Sequence, residues 1–522
     1  MGIPSYYRTL ITKYKHAITR QTPTGTAALV IDMNCMIYHV LREPAMEACL
    51  YPGSEDCAGC AKWERTLQEE VCKYLTFVWR AAGAPLKMFV ALDGVVPYAK
   101  IKQQRFRRFK SASLAANQAK SWDTNAITPG TDFMQAMGNA LRDVGSKHNW
   151  QISDTNEPGE GEHKVLNWIR SQPSLSGPVL VYGLDADLIL LSMLAGEYLG
   201  PKNPVYLVRE AMAFGKLVRI PENKQVELCF LQISVLLQSL QNGHVWSREE
   251  FYDYIFGMSF CGNDFLPTGL SLRMRDEGHS ILLDCLRTLW KRAIHLVTFD
   301  TDGKATLNKD GLYQFTCWMA QQEERLITKM IDRKLKSPLG EDDADNIALK
   351  EQAELPLLVQ GTDANNRIHL QPQWKSQYYR IGFGEHSVDV RKHWVSQYWK
   401  GFQWIFDYYL GSAVDQEFVY AAGYPPTWCD LRDFFAYTTI NWSVRPVLQP
   451  KEQLALVLPL TSWNLLLKTP FRSLPYRLPQ YWPASFHLET FGKRFGWECE
   501  PMIPMLTPER LRYEVSRMNT KV

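Results

Sequence analysis

The stretch GPVLVYGLDADLILLSMLAGEYL (177–199) changes character once, at a pair of aspartates. Its first eight residues are a short apolar run opened by Gly and Pro, the pattern of a fully buried strand. Beyond Asp185 and Asp187, LILLSMLAGEYL (188–199) has the length and composition of a helix. Strand, acidic turn and helix make the unit of a parallel α/β sheet, because parallel neighbours need a crossover, usually helical, between them. The unit occurs twice upstream. AALVI (27–31) stops at Asp32 and KMFVAL (87–92) stops at Asp93. A helix around TLQEEVCKYLTFVWRAA separates those two runs, and VLNWIRSQ precedes the third with helical spacing. The reading is an α/β fold whose mainly parallel sheet is flanked by helices.

In such a sheet ligands bind outside the carboxyl ends of the strands, so three strands ending on Asp aim their carboxylates into one crevice. One Asp at a strand end can simply cap the next helix; three together point elsewhere. Two further pieces join them. PGEGEHK (158–164) sets Glu160 and Glu162 two apart, on one side if the backbone is extended. CGNDFLP (261–267) carries Asp264 in a Gly-Asn-Asp turn after an apolar helical stretch. Seven carboxylates in one crevice repel one another unless cations neutralise them. Oxygen-rich sets suit Mg²⁺ or Mn²⁺, and two such ions about 3.5–4 Å apart serve in-line phosphodiester displacement. The chemistry is that of a metal-dependent phosphoesterase with Asp32, Asp93, Glu160, Glu162, Asp185, Asp187 and Asp264 as ligands.

Seven residues after Asp93 a basic cluster begins, KIKQQRFRRFK (100–110). Lys100, Gln104, Arg107 and Arg108 fall at i, i+4, i+7 and i+8, one face of a helix. Lys102, Arg105 and Lys110 lie elsewhere on the turn and read as solubilising charges. Two guanidiniums, an ammonium and an amide converging on one point suit a terminal phosphate, since Arg offers forked donors to its oxygens. Acid and base would then serve one ligand, the metals at the scissile phosphate and the helix at its neighbour.

The whole chain sets limits on partners. A formal net charge of +3 over 522 residues excludes a generally basic nucleic-acid binder, so any such contact rests on local clusters. No signal peptide, myristoylation pattern or bilayer-spanning run is visible, which makes a soluble, intracellular protein with no membrane partner the expectation. Eleven cysteines without a secretory signal read as reduced thiols. Cys49, Cys57, Cys60 and Cys72 form one loose cluster, but CAGC (57–60) has no second tight pair, so ordinary thiols in an insertion are preferred to zinc. The stretch 336–367 is acidic in its first half and poor in aromatics; beyond it the chain is rich in Trp, Tyr and Pro. The expected division is a core over 1–345, an acidic linker or mobile loop over 346–366, and a second, largely helical region over 367–522 packed on the core.

These motifs resemble, in order, those of the 5′→3′ exoribonuclease (XRN) family. MGIPSYY (1–7), VIDMN (30–34), LDGVVPYAKIKQQRFRRF (92–109), NAITPGTDFM (125–134), PGEGEHK (158–164), YGLDADLILL (182–191) and CGNDFLP (261–267) carry the likeness in the first region. QWKSQYY (373–379), GFQWIFDYYLG (401–411) and GKRFGWE (492–498) carry it in the second, so it spans about the whole chain. The resemblance implies a PIN/flap-nuclease-like core and places the family's metal-binding acids on the seven carboxylates named above. It puts the pocket for a 5′-monophosphate on Lys100, Gln104, Arg107 and Arg108. The implied reaction is processive, two-metal-ion hydrolysis of 5′-monophosphorylated single-stranded RNA to 5′-mononucleotides. The N-terminal segment and second region are implied to narrow the entrance, so that duplexes unwind to enter.

Two positions depart from the family pattern. Tyr38 stands where the family has a base-stacking histidine, with His39 next to it, and an ungapped reading puts Gln416 and Phe418 at the family's Trp-x-Trp pair. Tyr38 and Phe418 are the expected stacking partners, since any base has a π-face. The chain resembles a minimal catalytic unit, expected in the cytoplasm; the sequence leaves the nucleus or a virus particle open, and protein partners unassigned. Two rivals stay in view: a structure-specific flap endonuclease, and an RNA-binding relative without turnover.

Overall fold

The computed structural model describes residues 2–3, 5–53, 56–115, 121–213, 216–220, 225–336, 358–362, 368–493 and 498–519. A seven-stranded sheet forms its centre: β1 (Ile18–Thr19), β2 (Ala28–Asp32), β3 (Lys87–Ala91), β4 (Gln151–Ser153), β5 (Val179–Tyr182), β6 (Val205–Glu210) and β7 (Leu228–Gln232), in the order β1-β7-β6-β5-β2-β3-β4. β2 pairs in parallel with β3 and β5, and the parallel set continues outward to β4 and β6. β7 runs antiparallel to β6 and carries the short edge strand β1. From β2 the chain steps outward to β3 and β4, then returns to β5 on the other side. The strand order therefore reverses between β2 and β5, the place where open α/β sheets gather ligands.

Both faces of the sheet are covered, which is why its strands read as continuous apolar runs rather than alternating ones. Leu29 and Ile31 of β2, with Leu180 and Tyr182 of β5, pack on one side against α2 (Asn34–Leu41), α3 (Cys57–Ala81) and, further out, α5 (Asp132–His148). Ala28, Val30, Val179 and Val181 join the opposite cluster with α1 (Tyr6–Lys13), α6 (Gly161–Arg170), α7 (Leu188–Leu199) and α8 (Val388–Tyr409). The three expected central strands and the helix 188–199 are all present. The unexpected strands are peripheral. β4 has three residues, β6 ends in charge, and β7 runs into a helix (Ile233–Gln241) with no Gly, Pro or Asn between them.

The second region is mostly helical and contributes side chains to the same cores as the first. Val395, Trp399, Phe402 and Phe406 of α8 lie in the cluster on the α6–α7 side. Val95, Val96, Tyr98, Ile101 and Phe109, around α4 (Tyr98–Ala115), form a further cluster with Leu454, Leu456, Trp482 and Leu511. The stretch expected as a linker, 346–366, lies outside the described residues apart from 358–362. Among the described residues no helix is long and apolar enough to cross a membrane.

One expectation for α4 is overturned. Arg105 is not a solubilising charge: it is fully buried, donates to the Leu456 carbonyl at 2.7 Å and to that of Tyr481, and lies over the Phe109 and Trp482 rings. Lys102 and Lys110 are half-buried and donate to the carbonyls of Tyr420 and Cys499. These three cations fasten α4 to the second region, because buried carbonyls left over by irregular loops need donors. Of the cysteine cluster, Cys57 and Cys60 start α3, where Cys60 donates to the Gly53 carbonyl, and Cys72 is buried three turns along.

Candidate active site

The seven carboxylates reach the crevice by different local devices. Asp32 is the last residue of β2, and Asp93 lies two residues beyond β3. The Asp93 carboxylate is held by Asn34 Nδ2 at 3.0 Å and by the Gly161 N–H at 2.7 Å, and Asn34 Oδ1 in turn accepts the Asp93 N–H at 3.1 Å. Gly161 cannot carry a side chain, since a Cβ there would run into Asp32 Oδ1. Glu160 and Glu162 are not on an extended strand. Glu160 is the extended N-cap of α6 and Glu162 lies in its first turn, where the helix dipole favours negative charge. Asp185 and Asp187 fill the turn between β5 and α7, and Asp187 is the N-cap. Asp264 sits in a turn closed by Asn263 Oδ1, which accepts the N–H groups of Phe265 and Leu266 at 2.9 and 2.8 Å.

The resulting electrostatics are strained. Burial, then the neighbouring charges of Asp93 and Asp185, push the Asp32 carboxyl well above the usual carboxylate range. Burial is also the main cause for Glu162, for Asp187 (raised to about 6) and for Glu160 (raised to about 7). Asp185 goes the other way: burial works to raise it, but nearby positive charge, including Lys100 and Arg107, holds it below its ordinary value. Lys100 Nζ stands between Glu160 Oε2 at 2.5 Å and Asp264 Oδ2 at 2.8 Å. Burial works to lower its pKa, yet those two acids win and hold it well above normal. Lys100 thus belongs to the acid cluster and occupies a place where positive charge is required.

A single ammonium does not balance seven carboxylates. Carboxylate oxygens of Glu162, Asp185 and Asp187 lie within 4.8 Å of one another, and so do ligand atoms of Glu160, Glu162 and His163. Glu162 Oε2 and Asp187 Oδ1 are buried with no hydrogen-bond partner. Buried anionic oxygens without donors, converging at this distance, fit hard divalent cations that take oxygen ligands. His163 went unnoticed in the sequence. It is buried and uncharged, its pKa lowered to about 3 chiefly by burial, and its ring centroid lies 3.9 Å from that of Tyr408. Only its place within PGEGEHK could have flagged it. Tyr408, also unnoticed, donates its hydroxyl to Glu160 Oε1 at 2.8 Å.

Gln104 and Arg108 sit on the same face of α4 as Lys100, and both are buried. The side-chain oxygen of Gln104 lacks a partner, while Arg108 donates to Thr128 Oγ1 at 2.5 Å and is lowered to about 10 by burial. Arg107 is exposed. Tyr38 is half-buried and near enough to act on the charge of Arg108; His39 turns instead to Tyr74 and Glu43. Phe418, expected as the second stacking partner, is buried. Its ring meets Trp404 and Trp442, at 6.1 and 5.8 Å between centroids, rather than an open groove.

Comparison with known families matches this arrangement at both ends of the chain. The family described as "XRN 5'-3' exonuclease N-terminus" matches residues 1–210, which include six of the seven acids and the whole of α4. "Xrn1 helical domain" matches residues 341–522. The chain belongs to the XRN family. Among its relatives, 5'-3' exoribonuclease 2 of Eremothecium gossypii is 31% identical over 64% of this chain and 42% of its own length. 5'-3' exoribonuclease 1 of Homo sapiens is 25% identical over 98% of this chain and 34% of its own. 5'-3' exoribonuclease 2 of Arabidopsis thaliana is 24% identical over 98% and 66%. The chain therefore spans between about a third and two thirds of the length of these XRN relatives.

Proposed function

We propose that this chain is a metal-dependent 5′→3′ exoribonuclease that hydrolyses 5′-monophosphorylated single-stranded RNA processively to 5′-mononucleotides. The observation that carries the reading is the adjacency of two chemistries on α4: Lys100 lies within the acid cluster, and Gln104, Arg107 and Arg108 continue from it along one face. An enzyme that counts one nucleotide from a phosphorylated end needs that adjacency. The names of the XRN relatives support it.

Glu162, Asp185 and Asp187, with Asp32, Asp93, Glu160 and Asp264 around them, would hold one or two Mg²⁺ or Mn²⁺ ions. Such ions, when bound, supply Lewis acidity at the scissile phosphate and an acidified water. The protein's own groups do the positioning. Arg107 and Arg108 would grip the terminal phosphate through forked N–H donors, with Gln104 between them; a cap or triphosphate would overfill the space. Asn34 and the Gly161 N–H hold Asp93, and Tyr408 holds Glu160, so two acids meet their ligand already oriented. Tyr38 would stack on the first base, and Phe418 would back the aromatic wall from Trp404 to Trp442. In this reading residues 1–345 carry the chemistry and 367–522 narrow its entrance.

The test is a time course on 3′-labelled single-stranded RNA bearing a 5′-monophosphate, 5′-hydroxyl or 5′-triphosphate, with Mg²⁺ and with EDTA, beside Asp185→Ala protein. Mg²⁺-dependent loss of the monophosphate substrate alone, yielding mononucleotides, is the expected result. Internal fragments regardless of the 5′ end would establish a flap-type endonuclease instead, and binding without turnover a non-catalytic relative.

A further inference from the structure

Helix α4 has a third face. Lys102, Phe106 and Lys110 recur every four residues, nearly half a turn round from Lys100 and Gln104. They line a cavity of about 430 Å³ whose far wall is built from the turn around Asp264, the segment 273–276 and residues 498–501. Three groups belong to the lining of this cavity and to the catalytic site at once. Asp264 pairs with Lys100; a Cβ on Gly2 would stand 2.5 Å from Asp187 Oδ1; and Arg107 is the exposed arginine on the phosphate-facing side. The cavity therefore adjoins the acid cluster on one flank and the 5′-phosphate pocket on the other.

We propose that this cavity is a binding site for the released nucleoside 5′-monophosphate, held there on its way out; the proposal rests on the exonuclease reading above. Three observations select that ligand. The volume falls within the range of about 300–1,000 Å³ usual for small-ligand sites, room for one nucleotide rather than a run of strand. Six Lys and Arg side chains line it against four carboxylates, one of which, Asp264, is already paired with Lys100, so the surplus suits a phosphate dianion. Phe106 is half-buried in the wall with Lys102 Nζ over its ring, 5.6 Å from the centroid, so a base entering the cavity meets an apolar ring and a cation together. Arg107 at the boundary lets the phosphate pass from one side of α4 to the other without losing its guanidinium partner.

The experiment measures binding of AMP and UMP to the full chain by calorimetry in EDTA, for wild type, Phe106→Ala and Arg275→Gln. Affinity for a 5′-phosphorylated RNA is measured beside it, together with the pattern of AMP inhibition where turnover is present. Expected are an at least tenfold loss of AMP affinity in both variants, RNA affinity within twofold of wild type, and AMP inhibition that lowers kcat rather than raising KM alone. Arg275→Gln changes an exposed side chain and keeps the test usable if Phe106→Ala fails to fold. Unchanged AMP affinity in the variants, or purely competitive inhibition, would confine the product to the catalytic pocket and overturn the proposal. A tenfold loss of RNA affinity would also overturn it, by placing the cavity on the strand path. Failure of the nuclease reading shows separately, as absent turnover with AMP binding intact.

Discussion

The hydroxyl of Tyr408, on α8, donates to Glu160 Oε1 at 2.8 Å, with both side chains buried. The second region thus touches the acid cluster through a hydrogen bond as well as by packing. Partners that orient metal ligands typically matter about 10–100-fold in affinity or activity. Tyr408→Phe is expected to weaken Mn²⁺ binding, followed by calorimetry, and kcat by a factor in that range while leaving the fold intact. Unaltered Mn²⁺ affinity would reduce the contact to packing.

Asp187 combines an unpartnered buried oxygen with a pKa raised to about 6 by burial and by Asp185. Its charge therefore costs stability when no cation is present. Asp187→Asn should raise the Tm of the EDTA-treated protein at pH 8, abolish the Tm gain on adding Mg²⁺, and lower kcat by more than about a hundredfold. A variant that lost activity but still gained stability from Mg²⁺ would place the ions elsewhere.

The 5′-phosphate assignment separates from catalysis through Arg107 and Arg108. A hydrogen bond to a charged group contributes about 1.5–3 kcal/mol, roughly tenfold to hundredfold in binding. The double replacement Arg107→Ala with Arg108→Ala should cost 5′-monophosphorylated RNA at least tenfold in kcat/KM and 5′-hydroxyl RNA far less. Retained discrimination would move the phosphate to other donors.

Glu323 tests the seam between the two regions. It is buried in the helix Lys309–Lys336 and accepts the N–H groups of Trp428 and Cys429 at 2.7 and 3.1 Å. Burial raises its pKa from 4.5 to about 7 despite those bonds. A raised folded pKa on an acid gives stability that is complete below the unfolded value of 4.5 and is lost as pH climbs through about 7. Glu323→Gln keeps an acceptor and removes the charge. It should match wild type near pH 4 and exceed it at pH 8 by roughly 3 kcal/mol at most, read from urea unfolding at both values. Equal stability at pH 8 would mean the carboxylate is solvated there.

The centre of the fold was legible because strands buried on both faces leave uninterrupted apolar runs, as at 27–31, 87–92 and 179–182, and their closing aspartates marked the crevice. The edges were not, since β4 is three residues long and β7 runs without punctuation into a helix. Helical periodicity correctly put Lys100, Gln104, Arg107 and Arg108 on one face of α4. It said nothing of Arg105, whose burial is decided by carbonyls at Leu456 and Tyr481, more than 350 positions away. Tyr408 escaped for the same reason: an aromatic in a Trp- and Tyr-rich run shows no sign of the acid it will meet.

Arg105 also bears on how such a protein can change over generations. Its guanidinium is useful only where the far region supplies carbonyls, and those carbonyls are satisfied only where the near region supplies Arg105. A lineage that discarded the second region would keep the acids of the first while exposing a desolvated arginine and stripping Glu160 of its tyrosine. The two halves are therefore coupled, and drift in either is constrained by the other at Arg105, at Glu160 with Tyr408, and at Glu323.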